Sequence, residues 1–213
     1  MIQVFIVGFG KFGQLALPKI SQRWPEARIW IMDPAPEHLT QCGKFSAIRV
    51  LDKGEDFLWE HQDHLAPEDW IIPAVPLHLA GDWAKRVLSR NLAVRTIKPP
   101  KSLGRGLPFT LYLQKDFYIS LADFVCPEHC PSPPGFCSKT RDPRPHRLRE
   151  ILVTQPLSRG TLEIIESHQL APGLGGFTFG ELKRTGEIIL RTEPPLFLAT
   201  ACPCHGVISG FTW

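Results

Sequence analysis

The chain contains no apolar run approaching the roughly 20 residues that a helix needs to cross a bilayer. Its apolar start lacks a basic leader, so it does not read as a secretory signal. Together these absences predict a cytoplasmic protein with no membrane span, in a reducing compartment where clustered cysteines serve metals or redox chemistry before disulfides. There is no C-x-x-C pair, the knuckle that zinc ribbons favour. Neither an internal repeat nor a low-complexity segment is present, which excludes solenoid arrays and compositionally disordered tracts. Charge of one sign is also scarce: a net +3 is too slight to argue a nucleic-acid or membrane-surface partner. The basic run from Lys139 to Arg149 is broken by prolines and has no interleaved aromatics, which counts against nucleic acid. It reads first as solvated surface, and after that as a dock for an acidic electron-transfer partner or a phosphate.

What is present describes an ordinary globular protein. The 213 residues are 43% hydrophobic and 21% charged, enough for one large or two small domains. Proline is abundant at 21 residues and concentrates between positions 99 and 145 and again after 172, implying rigid loops there.

The opening stretch carries the first motif. Ile2 to Val7 is apolar and β-branched, as in a strand buried on both faces of a parallel sheet. It runs into Gly8-Phe9-Gly10-Lys11-Phe12-Gly13, the G-x-G-x-x-G spacing. Gly8 permits the tight turn, Gly10 lets backbone approach a pyrophosphate, and Gly13 lets helix and strand pack closely. The helix beginning there aims free amides and its positive dipole end at phosphates. A second strand, Ile29 to Asp33, ends in an acid twenty positions after Gly13, where a carboxylate accepts hydrogen bonds from the adenosine ribose. Asp33 favours NAD over NADP by repelling a 2′-phosphate. Pro18 falls inside the first helix and predicts a kink or an early end.

On Gly8, Gly10, Gly13 and Asp33, about the first hundred residues resemble the NAD(P)-binding Rossmann family. Within it they look most like the nucleotide-sensing domains of potassium-uptake regulators. The resemblance implies a nicotinamide dinucleotide as ligand.

Alternating strands and helices continue this pattern. Strands are expected at Ala47–Leu51, Asp69–Pro76 and Ala93–Ile97, with helices at Glu55–His64 and His78–Leu88. The predicted fold is α/β: a doubly wound parallel sheet over residues 1–100, followed by a smaller cysteine-rich α+β region over 101–213. Ligands in such sheets lie beyond the carboxyl ends of the strands, so Ala74, Val75, Pro76 and His78 would border the nicotinamide. His78 and His168 are candidate proton donors, although a helix-surface role is the plainer reading of His78. Past residue 100, a hairpin is expected over Phe109–Leu113 and Phe117–Leu121, and strands at Ile151–Thr154, Thr161–His168, Glu187–Arg191 and Leu196–Thr200. Pro172 to Gly176 is a glycine-rich turn before a short helix at Phe179–Arg184, more plausible as a plain loop than as a phosphate cradle.

Cysteines supply the second motif. Cys126, Cys130 and Cys137 lie within a dozen residues, and Cys202 and Cys204 follow a strand, with His205 next to them. Prolines and Gly135 pre-bend the first loop so that its sulfurs can converge. Four thiolates suit a tetrahedral zinc or an iron–sulfur cluster. Cys126, Cys130 and Cys202 each precede proline, which tilts the reading toward iron–sulfur. His205 and His129 are reserve ligands, and Cys42 reads as a buried small hydrophobe.

Two motifs give three functions. One is a nicotinamide-linked oxidoreductase with an iron–sulfur cluster and an electron-transfer partner, though no flavin signature is present to split electron pairs. The second is a non-catalytic NAD sensor whose second domain is stapled by structural zinc and which acts on a regulatory partner. The third is an oxidoreductase whose zinc is purely structural. A homo-oligomer is compatible with each.

Overall fold

A computed structural model describes residues 1–43 and 45–213. The chain is mixed α/β. In order it forms β1 (Gln3–Val7), α1 (Lys11–Arg23), β2 (Arg28–Met32), α2 (Pro36–Thr40), β3 (Ile48–Val50), α3 (Gly54–Glu60), β4 (Trp70–Pro73) and α4 (Leu79–Ser89). Then follow β5 (Arg95–Ile97), β6 (Phe109–Leu113), β7 (Asp116–Ser120), β8 (Gly135–Phe136), β9 (Pro143–Arg144) and α5 (Leu148–Val153). The remainder is β10 (Thr161–Glu166), β11 (His168–Ala171), β12 (Leu174–Thr178), α6 (Phe179–Ile189), β13 (Leu196–Ala201) and β14 (His205–Thr212). Pro18 lies inside α1 without ending it.

Among the described residues the strands form two six-stranded sheets and a two-stranded ribbon. The first sheet runs β11-β12-β4-β1-β2-β3, with β4, β1, β2 and β3 parallel, β12 antiparallel to β4 and β11 antiparallel to β12. It is therefore not the purely parallel sheet that the sequence predicts. Gly176 explains one reason it can form: a Cβ there would stand 2.7 Å from the Ile71 carbonyl, so only glycine lets β12 lie this close to β4. The second sheet runs β10-β13-β14-β7-β6, with β5 also paired to β14. The expected division at residue 100 is thus crossed in both directions. β5 leaves the first sheet for the second, and β11 and β12 come from late in the chain to complete the first.

Alternation along β1 sets the layers. Val4 and Ile6 pack with Ala16, Leu17 and Ile20 of α1 and Leu39 of α2. Phe5 and Val7 face the other way, toward Leu58 of α3, Trp83 and Leu88 of α4 and Leu182 of α6. That same core takes in Leu196, Leu198 and Phe211 of the second sheet, so α4 and α6 are sandwiched between the sheets. α5 covers the far face of the second sheet through Leu148 and Leu152.

Two expectations in the second half are corrected and one strand is added. Ile151–Thr154 belongs mostly to helix α5, because Leu148 and Leu152 are buried at i, i+4 spacing. Glu187–Arg191 runs out of α6 rather than forming a strand; Leu182, Gly186 and Ile189 make one buried helical stripe. β14 was not expected at all, its apolar residues being interrupted by Gly206 and Gly210.

Candidate functional site

The glycine turn joins β1 to α1 as the motif requires. Gly8 has φ +91°, and a Cβ on it would lie 2.7 Å from Val75 Cγ1 and 2.8 Å from the Ala74 carbonyl. Ala74 and Val75 therefore form the wall against which the turn is pressed. At Gly13 a Cβ would stand 2.1 Å from the Gly8 carbonyl. Gly10 has no heavy atom within 4 Å of its missing side chain, so its outer side is open. Phe9 is buried under α1, whereas Phe12 is exposed.

Asp33 is bound into the turn itself. Its Oδ2 accepts from the Phe9 amide at 2.6 Å; its Oδ1 accepts from the Ala35 amide at 2.9 Å and lies 3.0 Å from His38 Nδ1. Burial pushes this carboxyl up, but the two amides and His38 outweigh burial and hold it below its ordinary value. A carboxylate has about four acceptor positions, so these three contacts leave one on Oδ2 without a protein partner among the described residues. α1 begins with no side-chain cap and no acid in its first turn, leaving its amides for an external anion.

The second site is a cavity of about 330 Å³ lined by Cys126, Cys130, Cys137, Cys202, Cys204 and His205. Three turns deliver these groups: the β7–β8 loop, the β8–β9 hairpin and the β13–β14 turn. Pro73, at the end of β4, also lines it, as do Gly173 and Gly175 of the β11–β12 hairpin. The cavity thus lies beyond the carboxyl end of β4. The six cysteines are free thiols. His205 Nε2 is 3.4 Å from Cys126 Sγ, close to the roughly 3.5 Å that separates nitrogen and sulfur ligands on one tetrahedral zinc. Its Nδ1 is 3.6 Å from Cys202 Sγ. The His205 amide donates to Cys202 Sγ at 3.2 Å, and Arg144 Nη1 donates to Cys204 Sγ at 2.8 Å. Cys130 Sγ is 3.2 Å from Ser138 Oγ.

Their environments differ. Burial, with the neighbouring Cys130 and Cys204, pushes the Cys126 thiol up, against a smaller pull from Arg144. Burial also raises Cys202, outweighing the amides of Cys204 and His205. Cys137 goes down, because the side chain and amide of Thr140 hydrogen-bond its sulfur. Amides and a guanidinium aimed at sulfur favour thiolate, the form that binds metal. Among the described residues no three His, Cys, Asp or Glu side chains are already spaced to close on a single ion. The donor set suits a soft or borderline metal in its chemistry; closing on one ion would require the loops to draw in.

Other candidate residues lie elsewhere. His78 is buried, with Nδ1 2.7 Å from Ser209 Oγ and Nε2 2.9 Å from Thr200 Oγ1. Burial pushes its pKa down to about 3, and with both ring nitrogens engaged by hydroxyls it belongs to the framework rather than to a helix surface. His168 pairs with Glu181 at 2.8 Å, where Glu181 also caps α6 through Thr178, and it does not line the cavity. His129 is exposed and outside the lining. Pro76 is exposed and is not part of the cavity. Cys42 is buried apart from the others, as expected. Arg144 and Ser138 were missed as partners of the thiols; the one signal in the sequence was their nearness to Cys137.

A family model described as "Uncharacterized protein, C-terminal domain" matches residues 80–213, a span that holds all five cavity cysteines and omits the glycine turn. A protein of Archaeoglobus fulgidus, described as "Uncharacterized protein", is 27% identical over 225 residues, covering 96% of each chain. No solved structure gives a significant match. No described helix is long and apolar enough to cross a membrane.

Proposed function

We propose, for a chain that belongs to this C-terminal-domain family, a nicotinamide-dinucleotide-binding protein with a thiolate-held metal centre, working in redox chemistry. The first sheet is read as a Rossmann-like, doubly wound unit whose two positions beyond β4 are taken by β12 and β11. NAD would lie with its pyrophosphate at the start of α1, its adenosine ribose on Asp33 and its nicotinamide toward the end of β4.

The observation that carries the proposal is convergence at that end. Five thiols and an imidazole, from segments far apart in sequence, line a single cavity that Pro73 also touches. Cys126, Cys130, Cys137 and Cys204 would hold an iron–sulfur cluster, with Cys202 and His205 as alternates. When bound, such a group supplies single-electron transfer. The protein's own residues do the rest: Arg144 offsets thiolate charge, the Thr140 and His205 amides steady the sulfurs, and Pro127 and Pro203 limit loop freedom.

One observation favours a second reading, an NAD sensor whose loops are stapled by zinc without turnover. Both histidines considered as proton donors are engaged elsewhere, leaving the cavity without an evident acid–base pair. Anaerobically purified protein distinguishes the two. A brown colour bleached by dithionite supports the cluster; a colourless protein with stoichiometric zinc supports the sensor. Absence of both metals would sink the metal centre under either reading.

A further inference from the structure

Among the described residues, a side-chain contact links the start of α1 to the cysteine loop. Glu128, in the loop between Cys126 and Cys130, pairs with Lys11, the first residue of α1. The loop is also tied from behind. The Cys130 carbonyl accepts from the Gly173 amide and from Gln169 Nε2, each at 2.8 Å. The neighbouring Pro172 carbonyl accepts from Lys19 Nζ at 2.7 Å, which returns the chain of contacts to α1. Gly173 has φ +74°, and a Cβ there would lie 1.8 Å from the Glu128 carbonyl, so the hairpin tip and this loop are pressed together.

α1 brings no carboxylate of its own to its first turn. Glu128 supplies one from a remote loop, at the end of the helix that attracts anions. Lys11 and Glu128 side chains are 70% and 44% exposed, so their pairing is not forced by burial.

We infer that Glu128 is an internal anionic latch, holding the Cys126–Cys130 loop over the glycine turn so that a dinucleotide's diphosphate must displace it from Lys11. This rests on the nucleotide reading above. Nucleotide and closed loop then weakly oppose one another, and the coupling is reciprocal. Binding at α1 removes one of the loop's ties and loosens Cys126 and Cys130 relative to Cys137 and His205, while the Cys130 carbonyl stays bonded to Gly173 and Gln169. Whatever holds those four groups together weakens the nucleotide site by the same factor.

The test compares the wild-type protein with Glu128→Gln, both as purified. NADH affinity is read by fluorescence titration, and iodoacetamide labelling of Cys126 and Cys130 is read by peptide mass spectrometry. Buried Cys42 is the folding control. An exposed pair of this kind predicts NADH binding roughly twofold to fivefold tighter in the variant. Saturating NADH should speed labelling of Cys126 and Cys130 in the wild type and leave the variant, already unlatched, unchanged. Equal affinities, or NADH slowing the labelling, overturn the latch and leave the nucleotide site standing. If neither protein binds NADH, the nucleotide reading fails and the latch falls with it.

Discussion

At the glycine turn the decisive contacts are close in sequence: Gly13 against Gly8, and the Phe9 amide on Asp33 across 24 positions. At the cysteine cavity they are remote, with Arg144 reaching Cys204 across 60 positions and Cys126 meeting His205 across 79. The turn also rests on a dry core through Phe9, whereas most of the cavity's cysteines are half-exposed on loops. A ligand at the turn would find its site nearly formed. One at the cavity must do part of the folding, so its binding free energy doubles as local stability.

The largest effect tests whether both regions stand on one framework. His78 is neutral in the fold with a pKa of about 3, against 6.5 when unfolded. The unfolded chain therefore takes up its proton first, so stability is complete above pH 6.5 and falls as pH drops toward 3. The slope is about 1.4 kcal/mol per pH unit, for a total on the order of 5 kcal/mol. Urea melts of wild type and His78→Gln across that range should show the difference. Turn and cavity probes that melted at separate pH values would break the idea of a shared core.

Next in size is Gly13→Ala, which sets a Cβ against backbone and should cost about 3 kcal/mol. Gly10→Leu makes the opposite point. It faces open space, so its unfolding free energy in urea should stay within about 0.5 kcal/mol of wild type, while NADH binding is lost and metal content is kept. Loss of metal in Gly10→Leu would show that the two sites are not separable.

The cavity predicts a local response. Cys137→Ser, or chelation, should reduce bound metal to background by elemental analysis and open the loop around residue 130 to limited proteolysis. The segment before residue 100 should remain resistant. The smallest effect concerns neither site: Thr178→Ala removes the acceptor for the Glu181 amide at the start of α6 and should cost about 1 kcal/mol. A larger loss would mean that His168 and Glu181 carry strain from the neighbouring hairpin.

The same contrast explains what could be read in advance. β1, the glycine spacing and the acid ending β2 are local patterns, and the structure places them side by side. The cysteines could be named as a group because they bracket two turns, but Arg144 looked like one more surface cation. β12 was hidden because Gly175 and Gly176 resemble a loop, and the close approaches that need them are to Ser167 across the hairpin and to Ile71, far earlier in the chain. α5 and the end of α6 were obscured by β-branched residues whose intrinsic preference is overruled by the stripe they bury.

β12 shields the side of β4 that would otherwise end the sheet, yet it is made from Leu174–Thr178. During synthesis, the four parallel strands emerge long before their last neighbour does. Until then the nascent chain presents a bare ladder of amides and carbonyls beside an apolar strand, an invitation to self-association. A fragment ending near residue 100 would stay in that condition permanently, so it should collect in aggregates, while the intact chain escapes them by finishing its first sheet almost last.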